Sequence, residues 1–333
     1  MAKIMLGMGS SHAPQLALPP AEWWRRAEHD RKNAELWYRG QMLAYPEVVE
    51  ARAGEHFERE LTPEKFESRF AACQQAIGTL AETLERAAPD VAVIVGDDQH
   101  ECFVEDNMPS IALFGGETVD TAPLGPDSGE YAAAPPALSR YPQERTANPC
   151  AAALGQHLVD ALMGDGFDLA YSRQLPAGKH GTHSIGHAFS YVYRRLMHDQ
   201  VTPNVPVFLN TYYPPNQPTP RRCYALGQAL RRAIETWDGD QKVAVIASGG
   251  LTHFVIEEDF DRQILDALEA RDGAALSSLP VDWLNSGNSE IRNWIVLAGA
   301  LAEDDLRMQL VDYVPCYRTE AGTGCAMAFA RWQ

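Results

Sequence analysis

Four stretches of the chain are apolar without any polar alternation: residues 3–8, 91–95, 205–210 and 243–247. Unbroken runs of this length suit strands buried on both faces, as in a parallel sheet. A shorter strand is predicted over 168–172. Between these runs the apolar positions recur at helical spacing. The clearest case is 62–88, where Phe66, Phe70, Cys73, Ile77, Leu80 and Leu84 share a face behind a Thr62 cap and Pro63 in the first turn. Helices are also predicted over 21–38, 149–163, from His187 through Met197, over 220–237, across 264–268, and behind Glu290 with Trp294, Leu297 and Leu301 on the packed face. Residues 115–150 are rich in Gly, Pro, Ala and Asp and are expected to be a long irregular excursion. The tail reads as strands around a turn at residues 322–324. Alternating strands and helices with no internal repeat predict a single large α/β domain over 1–333, with a central, mostly buried sheet covered by helices on both faces.

Composition narrows the function. The 333 residues carry a formal net charge of −17, which argues against binding to phosphate backbones and for a small-molecule ligand. No run of 18 apolar residues is present, so no membrane span is expected. The start of the chain lacks the apolar core of a signal peptide. Six scattered cysteines without a C-x-x-C pair fit reduced thiols, and a cytoplasmic location is the expectation.

The chemistry gathers at the ends of the apolar runs. Ser248-Gly249-Gly250 ends the fourth run and delivers His253 to the rim of the sheet, where ligands of open α/β sheets bind. Gly9-Ser10-Ser11-His12 ends the first. The second ends in Gly96-Asp97-Asp98-Gln99-His100-Glu101, a cluster that reads as a metal site or a solvated acidic loop. His180, His183 and His187 follow the third predicted strand in chain order, and His183 and His187 at i, i+4 spacing form a possible ligand pair. Trp23, Trp24 and Trp37 suggest a lid or partner surface, and Tyr212 and Tyr213 the wall of an aromatic pocket.

Longer blocks carry a resemblance. GSSHAPQ, VAVIVGDDQHE, HAFSYVYR, NVPVFLNTYYPPNQPTPRRCYALG, ASGGLTHF, LNSGNSEIRNW and VDYVPCYRTEAGTG run over nearly the whole chain. By these blocks the chain resembles the class III extradiol ring-cleaving dioxygenases, the family of the catalytic subunit of protocatechuate 4,5-dioxygenase. The resemblance implies one non-haem Fe(II) held by two histidines and a glutamate, with His12 and Glu290 at two of those places and His253 as acid/base residue. The family's N-D-H ending stands here as D-D-Q-H, one residue longer, which puts the second imidazole on His100, with Asp98 and His56 as alternatives. It also implies a substrate-side histidine between His180 and His187, for which His183 is taken. A small aromatic diol and O₂ are the expected partners, with Tyr212, Tyr213, Arg221 and Arg222 holding the ring or a carboxylate, and a homodimer is expected. Two rivals stay open: a non-catalytic metal-binding or interaction protein on the same scaffold, and a zinc hydrolase built on the His180–His187 cluster.

Overall fold

Each buried run feeds two cores at once, because successive side chains of a strand point to opposite faces. In the computed structural model, which describes residues 1–125 and 134–333, the main sheet takes nine strands. In chain order they are β1 (Lys3–Ser10), β2 (Val91–Asp97), β3 (Ile111–Phe114), β4 (Ala170–Ser172), β5 (Asn204–Leu209), β6 (Lys242–Ser248), β7 (His253–Val255), β8 (Met308–Tyr317) and β9 (Thr323–Trp332). Val91, Val93 and Val95 of β2 pack into one core with Val243, Val245 and Ala247 of β6. Ala92, Ile94, Ala244 and Ile246 enter the other. The first core is covered by helices Pro220–Thr236 and Ile291–Ala300, the second by Pro63–Ala87 and the helix that begins at His187. The predicted two-faced α/β architecture is therefore the observed one.

Strand order is β7-β9-β1-β6-β2-β5-β3-β4, with β8 on the outer side of β9. The central four, β1, β6, β2 and β5, are parallel. Register then sets where chemistry can occur: Ser10 lies beside Ser248, Ala247 beside Val95, and Asp97 beside Leu209, so the carboxyl ends of the parallel strands finish level. Ligands of open sheets sit off such ends.

Three expectations change in detail. The predicted helix over 21–38 is a helix only over Trp23–Arg31; Leu36–Tyr38 pairs instead with Gln41–Leu43. The two residues between those strands, Arg39 and Gly40, both have positive φ, which is what a two-residue hairpin requires and a helix forbids. Trp23 is fully buried against Phe66, so only Trp24 of that pair faces outward. The excursion over 115–150 contains a strand pair, Thr118–Thr121 with Thr146–Pro149; its middle, residues 126–133, lies outside the described residues. Helix Pro63–Ala87 does begin at the predicted cap, where the Thr62 hydroxyl accepts from the Lys65 amide.

Candidate metal centre

Four buried side chains meet off the level strand ends: His12 after β1, Asp97 at the end of β2, His187 at the start of its helix, and Glu290 just before helix Ile291–Ala300. One donor atom from each falls within 4.8 Å of all the others, so the group could hold a metal ion. His12 Nε2 is 3.1 Å from His187 Nε2 and 3.4 Å from Glu290 Oε2. Asp97 stands a little further off, at 3.9 Å from His12 Nε2 and 3.6 Å from His187 Nε2.

The outer hydrogen bonds decide which ring nitrogens carry protons. Ser248 Oγ donates to the Ala188 carbonyl (2.7 Å), so it accepts from His12 Nδ1–H (2.9 Å). His187 Nδ1 donates to Glu101 Oε2 at 2.5 Å. Both rings therefore turn bare Nε2 lone pairs toward one another beside two carboxylates. A single shared proton would satisfy only one pair, whereas a divalent cation satisfies the whole set. Two-ångström metal bonds at right angles place neighbouring donors about 3 Å apart, close to the 3.1 Å and 3.4 Å from His12 Nε2 to His187 and Glu290. The residues fit a metal.

Small residues make the space. Glu290 Oε2 accepts from the Gly250 amide at 2.7 Å, and a β-carbon on Gly249 would come within 2.9 Å of Asn293 and 3.1 Å of the Glu290 carbonyl. Neither Gly249 nor Gly250 has a positive φ, so glycine is required in this turn for closeness to Glu290 and not for an unusual backbone angle. Burial would raise the Glu290 carboxyl, but the His12 and His253 imidazoles outweigh it and hold the group well below the carboxylate range. At Asp97 the compensation falls short: burial, and then the Glu290 charge, push it up to about 7 against the His12 imidazole.

His253 faces the same space. Its Nδ1–H donates to the Leu251 carbonyl (2.8 Å), leaving Nε2 3.4 Å from Glu290 Oε1. Burial alone would lower this imidazole; the Glu290 charge and hydrogen bond, together with the Leu251 carbonyl, lift it to about 9. Behind it, Asp261 accepts from the Thr252 amide, the Thr252 hydroxyl and the Tyr313 hydroxyl, and Asn288 Oδ1 accepts from the His253 amide. The backbone on both sides of the imidazole is thus pinned.

Asp261 supplies a pH test of that anchoring. Burial raises its carboxyl to about 7 against the three donors, while in the unfolded chain it titrates near 4. Between those values the folded chain holds a proton that the unfolded chain has released, so stability falls as pH rises across the window and levels off above it. The full effect is at most about 4 kcal/mol. Urea midpoints at pH 5 and pH 8 should drop more for the wild type than for Asp261→Asn. Equal drops would mean that Asp261 is already ionised at pH 5.

Other expected site residues lie elsewhere. His100 is not in the cluster: it sits at φ +64 with its ring stacked on Tyr213 at 3.7 Å between centroids. The cause is the turn itself, because Asp98 accepts from the Cys102 and Phe103 amides. That closes the loop with His100 outward and Glu101 inward, and it occupies Asp98 as well. His56 is exposed beside Glu58. His183 precedes the helix instead of sharing a face with His187, and its Nδ1 lies 3.1 Å from the Leu175 carbonyl. His180, His183 and His187 therefore do not converge, which removes the basis of the zinc-hydrolase cluster. Tyr212 lies near Ser286, Arg221 is exposed, and Arg222 stacks on Phe167; with Tyr213, none of them lines the cavity over the cluster.

That cavity is about 350 Å³, within the range of small-molecule sites. His12, His187, Glu290 and His253 form its floor, and Tyr141, Arg140, Lys179 and His180 its walls. A larger cavity of about 780 Å³ lies behind β7, but its four arginines are matched by carboxylates, Arg39 to Glu257, Arg52 to Glu55, Arg69 to Glu60 and Arg262 to Glu258, and it contains no histidine. The smaller cavity is the one with chemistry.

A family model described as the catalytic LigB subunit of aromatic ring-opening dioxygenase matches residues 71–324. The chain belongs to that family. Among curated proteins, this LigB-family chain is 35% identical over 177 residues to gallate dioxygenase of Pseudomonas putida, covering 49% of each chain. It is 27% identical over 184 residues to 2,3-dihydroxyphenylpropionate/2,3-dihydroxicinnamic acid 1,2-dioxygenase of Comamonas testosteroni, covering 55% of this chain and 49% of that one. The matches thus span about half the length of these relatives. Among the described residues no helix is long and apolar enough to cross a membrane, and all six cysteines are free.

Proposed function

We propose that this protein is an Fe(II)-dependent extradiol dioxygenase that opens a catechol- or gallate-type ring with O₂. The observation that carries the reading is the convergence of two fixed imidazole lone pairs and a buried carboxylate on the floor of a cavity sized for one small ligand. His12, His187 and Glu290 are the three ligands, and Asp97 is the carboxyl beside them. Held by these residues, Fe(II) would supply Lewis-acid activation of a diol and of O₂ and a path for electrons between ring and oxygen.

The remaining work falls to the chain. His253 presents a single nitrogen to the cavity, because its other one is tied to the Leu251 carbonyl. It removes a phenolic proton from the diol and later returns a proton to the oxygen side. Its rise to about 9 comes from the Glu290 charge, so a cation on Glu290 brings the imidazole back toward the range in which it acts as a base. Lys179 and Arg140 place positive charge on the walls, which favours a ring bearing a carboxylate, in keeping with the gallate dioxygenase among the relatives.

Anaerobically Fe(II)-loaded protein offered gallate, protocatechuate, 3-O-methylgallate and simple catechols under labelled dioxygen tests the reading. The expected product is ring-opened with two labelled oxygen atoms, and the acids outrank the unsubstituted catechols. Products that carry one label or none when trapped by reduction before the carbonyl oxygen exchanges with water would exclude a dioxygenase.

A further inference from the structure

Glu101 touches the centre through His187, and both of its carboxylate oxygens are taken by hydrogen bonds. Its Oε2 accepts from His187 Nδ1 at 2.5 Å, and its Oε1 accepts both from the His187 amide at 3.0 Å and from the Tyr141 hydroxyl at 2.5 Å. The surroundings are cut to fit it. A β-carbon on Gly186 would stand 2.4 Å from Glu101 Oε2, and one on Gly178 would strike the Glu101 carbonyl. Tyr141 comes from the far side of the excursion and is held by its neighbour, since Arg140 donates to the His12 carbonyl and accepts from Ser190 Oγ through its own carbonyl. One strap of chain thus reaches the backs of both histidines.

We infer that Tyr141 and Glu101 form a relay that sets the electron donation of His187 to the metal, with the two residues acting in opposite senses. This rests on the metal-centre reading above. A carboxylate accepting the Nδ1 proton makes an imidazole a stronger donor, and such partners tune both affinity and potential. A phenol donating to the same carboxylate draws its charge away and moderates the effect. Tyr141 is a positioning residue here; it meets the metal through two hydrogen bonds.

The opposition gives a test that a structural role would not pass. Iron is loaded anaerobically into wild type, Glu101→Gln and Tyr141→Phe, and the ferric/ferrous midpoint is measured in each alongside Fe(II) affinity. Glu101→Gln should raise the midpoint and weaken Fe(II) binding by about 10–100-fold. Tyr141→Phe should lower the midpoint and leave the affinity within a few-fold of wild type. Tyr141→His, which keeps a donor, should return the midpoint toward wild type and serves if the phenylalanine variant does not fold. Midpoints that do not move, or that move in the same direction in both variants, would overturn the relay while the centre stands. Failure of the wild type to bind iron would instead remove the centre itself, and the relay with it.

Discussion

His187→Ala should abolish stoichiometric Fe(II) binding, and His100→Ala should leave it intact. Removing the hydrogen-bonded partner of a ligand histidine typically costs about 10–100-fold in metal affinity, so loss of the ligand nitrogen should exceed about 100-fold. His100 is a sharp control because it lies one residue before Glu101 in the same loop, yet stacks on Tyr213 away from the donor set. Anaerobic titration with Fe(II), followed by metal analysis after desalting, separates the two. A wild-type-like titration for His187→Ala, or loss of iron in His100→Ala, would show that the loop turns the other way when metal binds.

His253→Gln should keep its iron and lose turnover. The imidazole lies outside the four-residue donor set and meets it only across 3.4 Å to Glu290, so affinity should change by less than tenfold. General acid–base catalysis contributes about 10²–10⁴-fold, and a glutamine of similar size keeps the polarity but not a group that titrates. The ratio of kcat between variant and wild type at saturating diol checks this. A fall of less than tenfold with bound iron unchanged would assign proton transfer to another group.

How much of this was legible in the sequence follows from what each signal depends on. The parallel strands were visible because both faces are buried and their apolar runs are unbroken, and the ends of those runs pointed to His12 and His253, which line one cavity. Glu290 was reached only through the family resemblance, since an acidic residue at a helix start is favourable without any function. The other imidazole of the candidate centre, His187, was named only as half of a possible ligand pair with His183 and was not singled out. His187 gains its place from Glu101, 86 residues earlier, and nothing local distinguishes it from His180 or His183. The clue present in the chain was Gly186 before the helix, a position with no room for a side chain once Glu101 packs there. His100 misled because adjacent residues in a tight loop point opposite ways, and Asp98, by closing the loop on itself, decides which one faces in. The hairpin at Arg39-Gly40 was lost for a similar reason, its two left-handed residues lying just past a segment whose charge pattern reads as helix.

The most direct test of the metal-dependent ring-opening reading is oxygen uptake by metal-free protein in the presence of a gallate-type diol, before and after one equivalent of Fe(II), with Zn(II) as the comparison. The expected result is no uptake before addition, one O₂ consumed per ring opened after Fe(II), and none after Zn(II). Stoichiometrically bound iron with no oxygen uptake on any diol of the panel would contradict it.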